Sequence, residues 1–317
     1  MRYRMLGRSQ LMTSEVGFGG WAIGGGWGPV DDDTSIAAIR KAIDAGVSFI
    51  DTADVYGEGH GEEVIGKALE GNARHRAVIA TKAGLKAPSG HDFSPAHIEK
   101  ALEGSLRRLG TDWVDVLQLH NPTRAALEDP ELWETLKRLK AEGKIRAYGA
   151  SVRSPREAVL AIENGDVDTV QVVFNVIDQE ARELFETARA HRVGVIARVP
   201  LASGFLTGKY SHDHKFHRTD WRARLGPARR RQMLRRAEAL DPVARGVGSS
   251  KAQAALAFVL SYRDVAVTIP GVKTPEQAEE NAASSDVAPL PAELLRYLEQ
   301  AYEETEAPTL SAAASEA

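Results

Sequence analysis

Residues 33–51 read DTSIAAIRKAIDAGVSFID and place one helical segment directly before one strand. Apolar residues at Ile36, Ile39 and Ile43 have the spacing of one face of a helix, and Gly46 ends that pattern. The next residues, 47–51, form the short apolar run that is typical of a buried strand. The stretch therefore predicts one unit of helix and strand.

The same alternation of short β-branched runs and helix-period segments continues along the chain, which is typical of parallel β/α units. We expect eight strands, near residues 16–20 and at 47–51, 77–82, 114–120, 145–151, 169–175, 194–198 and 265–270. Eight such units favour an α/β fold with a closed (β/α)8 arrangement, the TIM barrel. An open doubly wound sheet shares the local pattern and remains the alternative.

No linker divides the chain, so residues 1–307 are expected to form a single barrel domain. Two short runs around a turn at residues 7–10 predict an N-terminal β-hairpin that caps the bottom of the barrel. A long polar, Arg-rich insertion, from residue 207 to about 250, follows the seventh strand. The Ala-, Ser- and Glu-rich tail, residues 308–317, is expected to be disordered.

Composition excludes several classes of function. The formal net charge of −4 provides no general basic field for nucleic acid or for an anionic membrane. The 317 residues contain no Cys, which excludes disulfides, thiol nucleophiles and Cys-based metal sites. No run approaches the roughly 20 apolar residues of a membrane span, and the start lacks the apolar core of a signal peptide. A cytoplasmic protein is expected.

Catalytic side chains of a TIM barrel stand at the carboxyl ends of its strands and in the loops that follow. Asp51, Lys82 and His120 end three predicted strands, and Tyr56 lies in the loop after the first of these. Any one of them alone would usually be a cap, an ion-pair partner or a packing residue. Four polar groups on one rim predict a catalytic site.

This set suits the reduction of a carbonyl group. A phenol is a poor acid at neutral pH unless a cation favours its ionised form, and Lys82 would supply that cation for Tyr56. Asp51 would hold the ammonium, and His120 would hydrogen-bond the carbonyl oxygen. No side chain delivers hydride, so a nicotinamide cofactor is required.

Two other chemistries are compatible with polar side chains on the same rim. A Lys at a strand end also suits Schiff-base chemistry, which makes a lyase that uses Lys82 an alternative. A hydrolytic metal site would need Asp51, Asp54, His60 and His120 together, but neither an HxH nor an HExxH spacing supports it. No metal is therefore expected.

The segment TIPGVKTPEQAEEN, residues 268–281, places Gly271 and Lys273 before a capped helix, where barrels commonly bind phosphate. Lys273 is suited to a 2′-phosphate. Ser151 and Gln171 end the fifth and sixth strands and are suited to a carboxamide. The FGGWAIGGGWG segment, residues 18–28, lacks the context of a dinucleotide fingerprint, which counts against a Rossmann domain.

Six stretches together resemble the aldo-keto reductases, in that family's order and at its spacing. They are DTADVYG (51–57), ATKAG (80–84), LQLHNP (117–122), GASVRSP (149–155), RVPLASGFLTGKY (198–210) and IPGVKTPEQAEEN (269–281). The similarity covers nearly the whole chain and is greatest to bacterial members of the general-stress and potassium-channel β-subunit-like branch. It implies an NADP(H)-dependent, or alternatively NAD(H)-dependent, reductase of small aldehydes or ketones.

By this resemblance Tyr56 is the general acid for reduction and the general base for oxidation, assisted by Asp51, Lys82 and His120. Trp21, Tyr56 and His120 would contact the substrate. The resemblance also implies a set of cofactor contacts: Gly20, Trp21, Asp51, Ser151, Gln171, Arg198, Pro200, Leu201, Ser203, Lys209, Gly271, Lys273, Gln277, Glu280 and Asn281.

Three positions depart from the family pattern. Arg198 stands where many members stack an aromatic ring on the nicotinamide, and its planar guanidinium can also stack. Gln277 stands where many NADPH-preferring members carry Arg, and Val152 where many carry Asn. The preference between NADP and NAD is therefore left open, as are the physiological substrate and the oligomeric state.

A further alternative is a non-catalytic redox sensor like the potassium-channel β subunits, which resemble this family and carry Asn at the position of His120.

The Arg-rich insertion also has three interpretations. It is a solvated helical face, a loop that folds over the cofactor with Arg218 or Arg222 on its phosphates, or a nucleic-acid surface. The first of these is favoured.

Overall fold

The computed structural model describes residues 1–28, 30–86 and 89–304. The expected disordered tail and the domain boundary at residue 307 lie outside these residues. The strands, in chain order, are β1 Tyr3–Met5, β2 Met12–Ser14, β3 Phe18–Gly19, β4 Phe49–Asp51, β5 Val78–Ala83, β6 Val114–His120, β7 Ile145–Ser151, β8 Thr169–Val173, β9 Gly194–Arg198 and β10 Val265–Ile269.

Helices connect and surround these strands. The α-helices of the described residues are α1 Asp32–Asp44, α2 His60–Ala68, α3 Pro95–Leu109, α4 Arg124–Leu127, α5 Pro130–Ala141, α6 Pro155–Gly165, α7 Arg182–Ala190, α8 Pro227–Ala237, α9 Leu240–Val247, α10 Lys251–Ser261, α11 Pro275–Val287 and α12 Ala292–Glu303. Short 3₁₀ segments cover Gly20–Ala22, Gly71–Arg76, Ala202–Thr207 and Trp221–Arg224.

Strands β3 to β10 form one parallel sheet in which neighbours in the chain are neighbours in space. Parallel bridges join Val16 to Thr268 and Gly19 to Gly271, and the Gly17 N–H donates to the Thr268 carbonyl over 2.7 Å. These bonds link the first strand to the last and close the barrel. The eight described strands therefore confirm the (β/α)8 prediction and exclude the open doubly wound sheet.

Most strands lie where the sequence predicted them, and β6, β7 and β9 have the predicted boundaries. The second barrel strand begins at Phe49, because the Val47 N–H bonds the Ala42 carbonyl and still belongs to the end of α1. The sixth ends at Val173, two residues early, because Asn175 and Asp178 exchange backbone bonds in a turn.

The predicted hairpin is present, with β1 and β2 paired antiparallel. Leu6 and Leu11, at its turn, are 0% and 3% exposed and join the apolar cluster that fills the barrel interior. The buried Glu15 carboxylate accepts bonds from Arg2 and Arg4 and ties the hairpin to the barrel. The hairpin thus closes the bottom of the barrel, as predicted.

Side chains alternate between the two faces of each strand, and this alternation positions the site. In β6, Leu117 and Leu119 pack outward against the helices, whereas Val116 faces the interior. Gln118 and His120 share the parity of Val116 and therefore also face inward, nearer the carboxyl end. The interior is thus apolar at the bottom and polar at the top.

Candidate active site

The four predicted catalytic residues lie together at the top of the barrel. Asp51 ends β4, Lys82 lies near the end of β5 and His120 ends β6. Tyr56 follows β4 in a loop whose turns are made by residues 53–62. All four side chains are buried, with exposures of 1% to 8%. The structure therefore brings together the set that the sequence singled out.

The Lys82 ammonium uses all three of its hydrogens as donors. Its Nζ atom lies 2.6 Å from Asp51 Oδ2, 2.8 Å from the Thr52 carbonyl and 3.2 Å from the phenol oxygen of Tyr56. Because an ammonium has three donors and no acceptor, this set leaves none for a further partner. The phenol oxygen accepts from Lys82, so its own hydrogen points elsewhere.

The charge states follow from these contacts. Burial lowers the pKa of Lys82, but the Asp51 carboxylate and the Tyr56 phenol outweigh it and leave that pKa above its ordinary value. Burial raises the pKa of Tyr56, although Lys82 acts in the opposite direction. Lys82 thus lowers the pKa of Tyr56, as the sequence predicted. Burial outweighs this effect, so the net pKa of Tyr56 lies above its ordinary value, contrary to the prediction. Tyr56 is protonated at neutral pH, the form a proton donor needs.

His120 lies beside Tyr56, with ring centroids 5.9 Å apart. Burial, reinforced by the positive charges of Lys82 and Arg198, lowers the pKa of His120 well below its ordinary value. The imidazole is therefore neutral and carries one N–H donor and one acceptor. Its Nδ1 atom is buried and has no hydrogen-bond partner among the described residues.

A buried amide network holds the other oxygen of Asp51. The Gln171 Nε2 atom donates to Asp51 Oδ1 over 2.7 Å and to Gln118 Oε1 over 3.1 Å. Ser151 donates to Gln171 Oε1 over 3.0 Å. Gln118 was missed by the sequence analysis. Its signal was a polar residue in an apolar strand, two positions before His120 and on the same face.

Two adjacent clefts open above this network. The inner cleft, about 1180 Å³, and the outer cleft, about 600 Å³, share the lining residues Trp27, Leu201 and Gly271. Predicted residues that line the inner cleft are Trp21, Asp51, Tyr56, His120, Ser151, Gln171, Arg198, Pro200, Leu201, Ser203 and Gly271. Predicted residues that line the outer cleft are Leu201, Lys209, Gly271, Lys273, Gln277, Glu280 and Asn281.

Three differences from the predicted lining stand out. The sequence predicted Gly20 as a cofactor contact, but Gly19 lines the inner cleft in its place. A Cβ atom at Gly20 would lie 2.8 Å from the Asp51 carbonyl, so this position faces β4 and not the cleft. Asn121 and Trp221 also line this cleft and were not predicted. Asn121 directly follows His120, and Trp221 is a large aromatic residue within the polar insertion, so both had a weak signal.

The loop after β9 has a strained backbone. Val199, Ala202 and Ser203 have φ values of 55°, 45° and 56°, in the left-handed region that non-glycine residues rarely adopt. Each such residue costs roughly 1–3 kcal/mol, and such strain clusters at ligand sites. This loop borders both clefts, because Leu201 lines both.

Two arginines at the clefts have different roles. Arg198 donates to the Val152 carbonyl over 3.0 Å, and its Nε atom has no partner in the described part of the chain. Arg222, of the insertion, is 5% exposed and bonds both carboxylate oxygens of Asp220, the Ser203 carbonyl and Tyr210. Arg222 therefore anchors the insertion over the loop after β9.

The other residues of the insertion vary in exposure. Arg218, the second candidate for phosphate contact, is exposed, as are Arg231 and Arg235 of α8.

The outer cleft meets the first turn of α11. Thr274 caps this helix through the Gln277 N–H, and the Gln277 side-chain oxygen accepts the Lys273 N–H over 2.9 Å. The Lys273 ammonium donates to the Trp27 carbonyl. Glu280 accepts from Ser250 over 2.8 Å, and the Asn281 Nδ2 atom is buried without a partner among the described residues.

The donor set of the two clefts fits a dinucleotide. Unpartnered polar atoms of His120, Arg198 and Asn281 border the clefts, and Lys209 and Lys273 supply cations at the outer end.

Within the described ranges, no group of three or more His, Asp or Glu side chains is placed to hold a metal ion. His60, one of the four residues that a hydrolytic metal site would need, instead contacts Asp32 over 2.8 Å. Of the described helices, none is long and apolar enough to span a bilayer.

Known proteins are similar to this chain in sequence and in fold. The model of the Aldo/keto reductase family matches residues 15–303. The chain is 30% identical to the NADH-specific methylglyoxal reductase of Escherichia coli strain K12, over 94% of this chain and 98% of that protein. It is 31% identical to a probable voltage-gated potassium channel subunit beta of Arabidopsis thaliana, over 92% and 93%. A crystal structure of an aldo/keto reductase from Klebsiella pneumoniae in complex with NADP and acetate has a TM-score of 0.73 at 28% identity, over 95% and 96%.

Proposed function

Because the chain belongs to the aldo/keto reductase family, we propose that it reduces small aldehydes or ketones to alcohols with NADP(H), or with NAD(H), and that Tyr56 is the proton donor. The observation that carries this proposal is the bond from the Lys82 ammonium to the phenol oxygen of Tyr56, at the wall of the inner cleft. It places a cation beside the oxygen that becomes negative when the proton leaves.

Each of the four residues has one task in this proposal. Tyr56 gives its hydrogen to the carbonyl oxygen as negative charge develops there, and Lys82 stabilises the phenolate that remains. Asp51 keeps Lys82 charged and oriented through the 2.6 Å bond. His120, held neutral, donates an N–H to the same carbonyl oxygen. In the reverse direction the phenolate of Tyr56 accepts the alcohol proton.

The cofactor supplies the hydride when it is bound. Ser151, Gln171 and Arg198 border the inner cleft near Asp51 and are assigned to the nicotinamide end, together with Trp21. Gly20 does not itself line the cleft, and it is assigned to the same end because it lies between Gly19 and Trp21, which do. Gln171 offers the free lone pair of its Oε1 atom, since its amide nitrogen already bonds Asp51 and Gln118. Pro200, Leu201 and Ser203 are assigned to the pyrophosphate. Lys209, Gly271, Lys273, Gln277, Glu280 and Asn281 are assigned to the adenosine end.

The relatives support both forms of the cofactor. The Klebsiella enzyme contains NADP, whereas the Escherichia coli relative is named as specific for NADH. Lys273 at the outer cleft favours a 2′-phosphate, and the absence of a second cation at Gln277 weakens that preference. We assign NADP(H) first and NAD(H) second. The assignment of residues 1–307 to a single barrel domain belongs to the same proposal.

Steady-state turnover tests the proposal. Purified protein is given methylglyoxal, then a series of short aldehydes, with NADPH or NADH, and oxidation of the cofactor is followed by absorbance. We expect saturable turnover with at least one aldehyde and one cofactor. Binding of the cofactor without turnover of any carbonyl would instead support a redox sensor, the alternative that the potassium-channel relative suggests.

The structure disfavours the lyase alternative. A Schiff-base Lys needs a neutral amine that the substrate can reach. Lys82 is charged, 1% exposed and bonded through all three hydrogens. We therefore expect no covalent adduct on Lys82 when the protein is treated with carbonyl substrate and borohydride.

A further inference from the structure

Trp27 is a wall of both clefts at once. It lies in the loop after β3, and it lines the inner cleft together with Tyr56 and the outer cleft together with Lys273. The resemblance to the family assigned no role to this residue. The catalytic set does not use it either.

Trp27 is held from the side of the outer cleft. A Cβ atom at Gly271 would lie 2.3 Å from the Trp27 ring, so the indole packs directly on the backbone at the end of β10. The Arg222 guanidinium lies 5.3 Å from the ring centroid. The Lys273 ammonium donates to the backbone carbonyl of Trp27. The position of Trp27 therefore depends on residues that flank the outer cleft.

Lys273 lacks an anionic partner here. Within the described ranges no carboxylate lies within ion-pair distance of its ammonium, and its observed acceptor is the neutral Trp27 carbonyl. Burial, reinforced by the positive charge of Arg222 and opposed in part by the more distant Asp220 carboxylate, lowers the pKa of Lys273. A phosphate is a better acceptor for such an ammonium, because bonds to ionised acceptors are roughly twice as strong as neutral ones. A 2′-phosphate in the outer cleft would therefore compete with Trp27 for Lys273.

We propose that Trp27 is a specificity-determining residue whose position responds, through Lys273, to the presence of a 2′-phosphate in the outer cleft. With NADH, Lys273 stays on the Trp27 carbonyl and the indole narrows the inner cleft. With NADPH, the ammonium turns to the phosphate, and the Trp27 loop is free to admit bulkier carbonyl substrates. This inference rests on the proposed function, since it assigns the outer cleft to the adenosine end of the cofactor.

A binding experiment tests the coupling without turnover. The probes are adenosine 2′,5′-bisphosphate and adenosine 5′-monophosphate, each at saturation as judged by calorimetry. The readout is the fluorescence of Trp27, taken as the difference between the wild type and Trp27→Phe. We expect a change with the bisphosphate and none with the monophosphate, and we expect Lys273→Met to abolish the change at saturation. Equal responses to the two probes, no response to either, or a response that survives in Lys273→Met would overturn the proposal.

A matched control variant is available in the same cleft. Lys209 also lines the outer cleft but does not line the inner cleft or bond Trp27. Lys209→Met therefore loses one cation near the phosphates and keeps the Lys273 contact. The fluorescence response to the bisphosphate is expected to persist in this variant. Its loss would show that removing either cation of the outer cleft has the same effect, and it would contradict a role specific to Lys273.

Turnover separates this inference from the proposed function. We expect the ratio of kcat/KM for a bulky aldehyde to that for a short one to be about threefold or more higher with NADPH than with NADH, a difference of roughly 0.7 kcal/mol. That difference should vanish in Lys273→Met. Equal ratios with both cofactors would contradict the inference alone. Absence of all turnover, with the fluorescence response intact, would contradict the proposed function and leave the coupling standing.

Discussion

The Lys82 ammonium donates to the phenol oxygen of Tyr56 over 3.2 Å. Lys82 itself is 1% exposed and does not line either cleft, so it acts on the substrate only through Tyr56. Its charge is balanced by Asp51, which lies 2.6 Å away on the neighbouring strand. The stability of this pair and the acidity of Tyr56 are thus linked.

The ion pair gives the first prediction. Lys82→Met leaves the Asp51 carboxylate buried without its cation, and breaking a buried pair in this way costs roughly 3–5 kcal/mol. The double variant Asp51→Asn with Lys82→Met removes both charges and is expected to be more stable than Lys82→Met alone. Urea denaturation of four proteins, the wild type, Asp51→Asn, Lys82→Met and the double variant, measures this. A double variant whose loss equals the sum of the two single losses would contradict a coupled pair.

A second prediction concerns pH. Burial, reinforced by Glu62, raises the pKa of Asp54 to about 7, and its Oδ1 atom has no partner in the described ranges. The folded protein therefore holds this proton at pH values where the unfolded chain has released it. As the pH rises from about 4 through 7, the free energy of unfolding is expected to fall by roughly 1–4 kcal/mol on account of this group.

The variant Asp54→Asn, which cannot ionise, removes that contribution. Its stability relative to the wild type should increase between pH 5 and pH 8, as measured by thermal or urea unfolding at each pH. Asp213→Asn, at an exposed position, is the control and should follow the wild type. A constant difference between Asp54→Asn and the wild type over this range would refute the buried, protonated carboxyl.

The hairpin at the bottom of the barrel gives a third prediction. Leu6→Ala removes a fully buried side chain and should lower the free energy of unfolding by roughly 2–5 kcal/mol. Met5→Ala, one residue earlier and 49% exposed, should change it by about 0.5 kcal/mol or less. Both variants should bind dinucleotide as the wild type does, because the hairpin lies at the opposite end from the clefts. Similar losses of unfolding free energy in the two variants would contradict the conclusion that Leu6 packs into the bottom of the barrel.

Gly271 gives a fourth prediction. Gly271→Ala places a methyl group 2.3 Å from the Trp27 ring, so the indole must move. We expect the affinity for NADPH to fall by about fivefold or more, equivalent to roughly 1 kcal/mol, because Gly271 lines both clefts. Gly226→Ala is the control, since a Cβ there meets nothing within 4 Å. Affinity for NADPH is measured by calorimetry. An unchanged affinity in Gly271→Ala would show that the position of the Trp27 indole does not affect cofactor binding.

The sequence predicted the parts of the site that follow from strand periodicity. Asp51, Lys82 and His120 end strands, and a closed barrel collects such ends on one rim, so their meeting was predictable. Contacts made by loops were harder to predict from the sequence. Lys273 and Trp27 are 246 residues apart in the chain and meet only because both loops cross the same strand ends. The strained Val199 and the Trp221 wall likewise depend on loop paths that no local pattern specifies.

Gln118 is an intermediate case. Its face of β6 was predictable from the alternation that places His120 inside. Its partner was not, because Gln171 is 53 residues away and the bond depends on the register between strands that lie two apart in the barrel. The direction of the net pKa shift of Tyr56 could not be predicted from the sequence either. Burial is its largest cause, and burial is a property of the folded barrel.

The most direct test of the account is the variant Tyr56→Phe, which removes the phenol hydrogen and keeps the ring beside Trp21. Calorimetry with NADPH and NADH and steady-state kinetics with the best aldehyde are measured on the same preparation. The account predicts dinucleotide affinities within about twofold of the wild type and a kcat lower by roughly 10²–10⁴. A kcat within a few-fold of the wild type would show that another group delivers the proton, and joint loss of binding and turnover would show that Tyr56 is structural.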